Sequence, residues 1–386
     1  MMSPEPQGAL TDLKAALVHD WLTGMRGGEK VLEAFCQLLP WAPIYTLLHI
    51  KGKVSPLIES HPIRTSFIQQ MPASASRYRH YLPLFPRAVE GLHLPPVDLV
   101  LSTSHCVAKG VRAPHGAVHV SYVHTPMRYV WDMYDAYFGP GKGGLARHVM
   151  PIFRKGLQRW DVRTADRVDH FIANSAHVAG RIKRHYGRDS TVIHPPVDTG
   201  RFAPAAQPED YYLVVSALVP YKRVDLAVQA CGALGRKLKV VGIGPEEACL
   251  KALAGPEVEF LGWQPEDALP GLYARARAMI FPGEEDFGIT PVESMAAGRP
   301  VLALGQGGAL ETVVGPADAK DRAQTGRFFY EQDLDALVTA MEELEGELDR
   351  FDPQALARHA AGFDTAVFLQ CMAGFLHDIL DKNTTR

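Results

Sequence analysis

Cysteine is scarce in these 386 residues: there are five, an odd number, and no two stand in a C-x-x-C pair. That argues against a thiolate zinc module and a disulfide framework, and fits a chain kept in a reducing compartment. Long apolar runs are missing as well. No uninterrupted stretch approaches the roughly 18 residues that a spanning helix needs. The first twelve residues, MMSPEPQGALTD, lack the basic-then-apolar layout of a secretory leader. A cytoplasmic location is the resulting expectation. No strand leads into G-x-G-x-x-G with an acid about 20 residues further on, so a nicotinamide dehydrogenase is disfavoured. The one D-x-D, Asp333–Leu334–Asp335, sits where a helix should start and reads as a cap. No metal site is expected, and no cofactor.

What is present is a composition typical of a globular chain, 47% hydrophobic and 22% charged, long enough for two cores. The net charge of −3 hides an imbalance. Residues 1–198 hold 23 Lys and Arg against 15 Asp and Glu, whereas residues 199–386 hold 17 against 28. A basic half suits an anionic partner, a membrane surface or a diphosphate lipid among them. Two domains of unlike charge with no such partner would look the same.

Short apolar runs alternate with helical stretches throughout. KAALVHDW (14–21), VDLVLS (97–102), VHVSYV (118–123), HFIANS (170–175) and TVIHPPV (191–197) read as strands of a first half. YYLVVSAL (211–218), LKVVGIG (238–244), VEFLGW (258–263), AMIFPG (278–283) and PVLAL (300–304) repeat the pattern in a second. Buried strands spaced by helices predict parallel sheets covered on both faces, hence an α/β chain of two Rossmann-like, doubly wound domains. A Pro-rich linker falls at 194–210, beside the change in charge. The terminal stretch TAVFLQCMAGFLHDILDK shows Val367, Phe368, Met372, Phe375, Leu376 and Ile379 at helical spacing and is suited to pack back on the first domain. The domains expected are 1–198 with 366–386, and 199–365.

EEDFGITPVESMAAG (284–298) crowds carboxylates ahead of a helix start, at the end of a predicted parallel strand. Open α/β sheets bind ligands at that edge. Thr290, Pro291 and Glu293 also fit N-cap, N1 and N3 of a capping box, so Glu293 reads equally as a cap on its own helix. Glu285 and Glu293 lie eight residues apart around DFGITPV. In this spacing, with FPG before it and SMAAGRPVLA after, the segment resembles the signature of family 4 retaining glycosyltransferases. The resemblance runs from GGEKVLEAF through ANSAHVAGRI and VIHPPVD to GGALETVV, and is strongest toward bacterial mannosyltransferases of surface-polysaccharide synthesis.

That resemblance implies a GT-B fold, with two Rossmann-like domains facing a cleft and the C-terminal helix returning to the first domain. It implies a hexosyltransferase, with mannose from GDP-mannose the best guess, acting without metal. It places Glu293 on the ribose hydroxyls and Glu285 toward the transferred sugar. The N–H groups of Phe287, Gly288, Ile289 and Thr290 would meet sugar and phosphate oxygens. Lys222 would lie on the diphosphate, and Gly262 and Trp263 beside the base. The family's arginine five residues before that lysine is Ala217 here, which makes Arg223 a candidate substitute. In the first domain Gly27 and Gly28 would face donor phosphates or the acceptor, and His124 would contact the sugar as the second catalytic residue beside Glu285. Apart from the resemblance, TGMRGGEK reads equally as a plain tight turn, and a lone histidine is more often structural.

The segment 61–92 interleaves Arg64, Arg77, Arg79 and Arg87 with Phe67, Tyr78, Tyr81 and Phe85. Such a mixture suits an anionic lipid surface, single-stranded nucleic acid, or simply a helical excursion with one wet face. With a polyprenyl-diphosphate-linked glycan as acceptor, it would dock the protein peripherally on the inner membrane; no nucleic-acid partner is expected. Two other readings stand beside the transferase: a GT-B sugar-nucleotide epimerase, and a silent sugar-nucleotide-binding partner of another transferase.

Overall fold

A computed structural model describes residues 13–138, 146–205, 207–319 and 322–384. Residues 1–12, on which the reading of the N-terminus rests, lie outside these. The chain divides into two compact units, Met1–Pro196 with Ala366–Arg386, and Val197–Thr365.

In the first unit a seven-stranded sheet runs in the order β3-β2-β1-β4-β5-β6-β7. The strands are β1 (Ala15–His19), β2 (Ile44–Thr46), β3 (Ile63–Thr65), β4 (Leu99–Ser104), β5 (Val118–Val123), β6 (His170–Ala173) and β7 (Thr191–Val192). Every pairing is parallel, with Leu17 opposite Leu101 and Leu101 opposite Val120 at the centre. All residues of β1 and β4 are buried, as a sheet covered on both faces requires. The terminal helix Thr365–Thr384 closes one face: Phe368, Met372, Leu376 and Ile379 join the core of Leu17, Phe35 and Tyr122. Val367, expected on that apolar face, is 38% exposed.

The second unit has a six-stranded sheet in the order β10-β9-β8-β11-β12-β13. Its strands are β8 (Tyr212–Val215), β9 (Leu238–Val241), β10 (Val258–Gly262), β11 (Ala278–Phe281), β12 (Val301–Leu304) and β13 (Gly326–Phe329). These too pair only in parallel. Asp333 does cap a helix: its Oδ1 accepts from the Ala336 amide at 2.9 Å.

Both sheets reverse their winding between neighbouring strands, β1 and β4 in one, β8 and β11 in the other. The connections leaving such a pair pass to opposite faces of the sheet, and open α/β sheets bind ligands in the crevice outside the carboxyl ends of those strands.

Candidate active site

In the second unit the crevice lies between the loops after β8 and β11. The β8 loop ends in a short 3-10 turn, Pro220–Lys222, and the following helix starts only at Val224. Lys222 therefore precedes the helix and does not open it. Arg223 between them is left-handed, φ 50°. Lys222 Nζ forms an ion pair with Glu285 Oε1 on the β11 loop, and both side chains are largely buried.

The β11 loop is held tightly. The Gly308 amide donates to Glu285 O at 2.8 Å, and Gln332 Nε2 donates to Pro282 O at 3.0 Å. Gly283 packs on the Lys222 turn so closely that a β-carbon there would lie 2.9 Å from Lys222 Cα. Only glycine lets the two loops approach this far.

The capping box is not formed. Gly288, at φ 86°, is the N-cap, and the helix Ile289–Ala296 places Thr290 second, Pro291 third and Glu293 fifth. The left-handed glycine starts the helix two residues earlier than a Thr290 cap would, which takes Glu293 out of the N3 position that a capping box needs. Its Oε2 instead accepts a 2.7 Å hydrogen bond from the buried Tyr273 hydroxyl. Phe287 is buried, while Ile289 and Thr290 are half-exposed. Gly298, at φ 75°, lies just past the helix end.

Three other expected residues lie after β8 and at the end of β10. Arg223 is engaged by Asp225, with Nε–Oδ1 at 3.1 Å and Nη2–Oδ2 at 3.1 Å, and by Gln332 O at 3.2 Å. Ala217 is exposed on the same loop. At the end of β10, Gly262 has φ 65°, and Trp263 is 68% exposed, an unusual state for so large an apolar ring.

The first unit's crevice is ringed by histidines. His19 ends β1, His105 follows β4 and His124 follows β5, on three neighbouring strands. Gly27 and Gly28 are the first residues of the helix Gly27–Leu38, which enters over these ends. A β-carbon on Gly28 would lie 3.5 Å from His19 Cε1, 3.6 Å from His124 Nε2 and 3.9 Å from His105 Nδ1. His124 Nε2 is 2.7 Å from Thr103 Oγ1. Burial, and then the neighbouring His105, His19 and Arg128, hold His124 well below the usual histidine range, so the ring is neutral near pH 7. Glu29 lies in the helix's first turn, where the helix dipole favours a carboxylate.

Sequence reasoning missed Asp20, His19, His105 and Tyr273. An acid or a histidine at the end of an apolar strand was the available signal, but it pointed to no particular partner. The arm over 61–92 also differs from expectation: Tyr78 and Phe85 are buried in the core, while Phe67 and the four arginines are exposed. A 3-10 stretch, Tyr78–Leu84, turns the aromatics inward. Among the described residues no helix is long and apolar enough to cross a membrane, and no group of three or more His, Cys, Asp or Glu is placed to hold a metal ion.

This arrangement of two carboxyl-edge crevices was compared with known proteins. Residues 52–201 match the model of Glycosyltransferase Family 4, and residues 199–347 that of Glycosyl transferases group 1. The chain belongs to glycosyltransferase family 4. It is 30% identical over 246 residues to a GDP-mannose-dependent alpha-(1-6)-phosphatidylinositol monomannoside mannosyltransferase of Mycolicibacterium smegmatis, covering 55% of this chain and 62% of that protein. It is 29% identical over 250 residues to a D-inositol 3-phosphate glycosyltransferase of Nocardia farcinica, covering 56% and 53%. The matches thus span little more than half the length of these relatives. Among solved structures, the glycosyltransferase resembles Anabaena HepE in complex with UDP, with TM-score 0.68 and 18% identity over 94% of this chain and 100% of that one. It also resembles a sucrose-phosphate synthase of Thermosynechococcus elongatus, with TM-score 0.70 and 16% identity over 95% and 100%. These likenesses establish the GT-B fold of two Rossmann-like domains.

Proposed function

We propose that this glycosyltransferase moves a hexose, mannose from GDP-mannose in the first instance, to a hydroxyl of a lipid-linked or polysaccharide acceptor, with retention and without metal. The observation that carries the reading is the Lys222–Glu285 pair at the carboxyl edge between β8 and β11. A cation and a carboxylate in one crevice suit a ligand with both a diphosphate and a polyol. On binding, Lys222 turns to the diphosphate and Glu285 to the hexose hydroxyls. Negative charge growing on the leaving diphosphate is met by Lys222 and by the N–H groups at the start of the helix Ile289–Ala296. Glu293 takes the ribose hydroxyls, steadied by Tyr273, and Trp263 with Gly262 flanks the base. From the first domain, Gly27 and Gly28 offer amides at a helix start, and neutral His124 contacts the sugar. Arg223, bonded to Asp225, is left out of the phosphate clamp.

The mannose assignment is supported by the GDP-mannose-dependent relative. The departing phosphate oxygen receives the acceptor's proton as the new glycosidic bond forms on the same face. Exposed Phe67 and Leu84, beside Arg64, Arg77, Arg79 and Arg87, form a surface suited to an anionic bilayer carrying a polyprenyl-diphosphate acceptor.

Thermal-shift screening with GDP-, UDP-, ADP- and dTDP-sugars tests the donor. A ligand at a hundredfold excess over Kd stabilises by about 2.7 kcal/mol, and GDP-mannose should rank first. Incubation with membrane lipid extract should then give an axial, α-linked product by NMR. Conversion of the donor without any acceptor, or no turnover at all, would replace this reading by an epimerase or a silent binder. Neutralising the four arginines should abolish binding to anionic liposomes.

A further inference from the structure

Asp20, wholly buried, follows β1 and accepts four backbone N–H bonds from the loop after β4: His105 and Cys106 on Oδ2 at 2.7 and 2.9 Å, Val107 and Ala108 on Oδ1 at 2.6 and 2.8 Å. One carboxylate thus shapes the whole turn. The same Oδ2 lies 3.2 Å from His105 Nδ1. A carboxylate with four donors already on it can only accept, so the ring's hydrogen is on Nδ1 and the lone pair on Nε2. Trp21, its ring edge-on at 4.4 Å, fixes the plane of the imidazole. Asp20 itself is out of solvent, but the His105 side chain is 23% exposed, so it is the ring that faces a ligand.

The surroundings point the same way. His19 is 1% exposed, and among the described residues neither of its ring nitrogens has a hydrogen-bond partner; Glu29 Oε1 is 3.8 Å away. Burying an imidazole without a hydrogen bond of normal length is costly, and a polar ligand bound here would offset that cost. His19 and His105 straddle Gly28 at the reversal between β1 and β4. Burial holds the His105 ring below the usual histidine range, with Asp20 and Glu29 opposing and His19 and Arg128 adding to the effect.

We infer that His105, oriented by Asp20, binds the incoming acceptor by accepting a hydrogen bond from its hydroxyl group on Nε2. The inference rests on the transferase reading only for the name of that ligand. A neutral ring with its proton already committed offers a lone pair, which selects an O–H donor and rejects a phosphate oxygen. Asp20 is a positioning residue: it sets the tautomer and the loop, and does not touch the ligand. The hydroxyl held on Nε2 keeps its proton until the glycosidic bond forms, so no separate chemical step is assigned to the ring.

The test uses the full chain with histidine ring nitrogens labelled with 15N, titrated without donor against methyl mannoside, methyl glucoside, methyl galactoside and myo-inositol. At least one should move the His105 Nε2 resonance while Nδ1 stays protonated. His105→Ala should weaken that binding about tenfold, the loss of one hydrogen bond, and His105→Gln, whose amide oxygen replaces Nε2, should recover most of it. Asp20→Asn should scramble the tautomer. If it unfolds the protein, the His105 pair of variants decides alone. No His105 shift with any of the four polyols, or equal affinity in His105→Ala, would overturn the inference. A shift in a protein that turns over no nucleotide sugar would leave His105 as a polyol site and remove the transferase reading instead.

Discussion

The Tyr273 hydroxyl donates a 2.7 Å hydrogen bond to Glu293, from a ring with no solvent exposure. A phenol buried on this scale needs a partner, and Glu293 supplies it. Tyr273→Phe keeps the ring and removes only the bond. It should cost about 1 kcal/mol in urea unfolding and raise the donor KM several-fold, with kcat little changed. An unchanged donor KM would mean that Tyr273 serves the core and not Glu293.

The two glutamates should separate kinetically. Glu285 faces the reacting hexose in the proposed mechanism, so Glu285→Ala should cut kcat by about 100-fold, as removal of a transition-state contact does. Glu293→Ala should raise the donor KM by about 10- to 100-fold, the value of charged hydrogen bonds to ribose. Steady-state rates against donor concentration decide it; small, equal effects of both would refute the roles.

Gly283 sets the approach of the two loops. Gly283→Ala places a methyl 2.9 Å from Lys222 Cα and 3.0 Å from the Tyr221 and Lys222 carbonyl oxygens. The Lys222 turn must retreat, drawing the ammonium from Glu285. Turnover should fall more than tenfold, while stability falls by only about 1–3 kcal/mol. Circular dichroism melts run beside the assay separate the two effects.

Acid should weaken the first unit through His119. It is fully buried, bonded to Ser102 Oγ at 2.9 Å, and burial lowers its pKa to about 4. A histidine whose folded pKa lies below its unfolded value contributes stability that is present above about pH 6.5 and is lost as pH falls toward 4. The full span amounts to about 3 kcal/mol. His105 and His124 are lowered too, and add in the same direction. His119→Gln should flatten the slope of Tm between pH 6.5 and 4.

Lys109 and Asp161 form a buried pair, Nζ to Oδ1 at 3.0 Å, within reach of Trp131 Nε1 and the Tyr186 hydroxyl, which both donate to Asp161 Oδ2. Lys109→Met strands a carboxylate and should cost about 3–5 kcal/mol. Adding Asp161→Asn should restore part of the loss, measured as a double-mutant cycle in urea.

Much of the architecture was legible in the chain because buried parallel strands must be apolar throughout. VHVSYV and AMIFPG announce β5 and β11 with no help from their surroundings. The short strands β2 and β3 and the late strand β13 escaped, since three or four residues such as IRT carry no periodicity, and their pairing depends on a neighbour distant in sequence. The place of the acidic stretch at 284–298, after a parallel strand and running into a helix, was legible in the same way. That Glu293 escapes capping duty was not, because it turned on the left-handed conformation of Gly288.

Read alone, the chain determined two α/β domains and the residues at their ligand edges, because both follow from local patterns of burial and spacing. Only the tertiary structure decided which side chains meet: Lys222 with Glu285, Tyr273 with Glu293, Asp20 with the loop that carries His105. Those meetings join residues 20 to 85 positions apart, and nothing but the crossing of strands in a sheet brings such residues together.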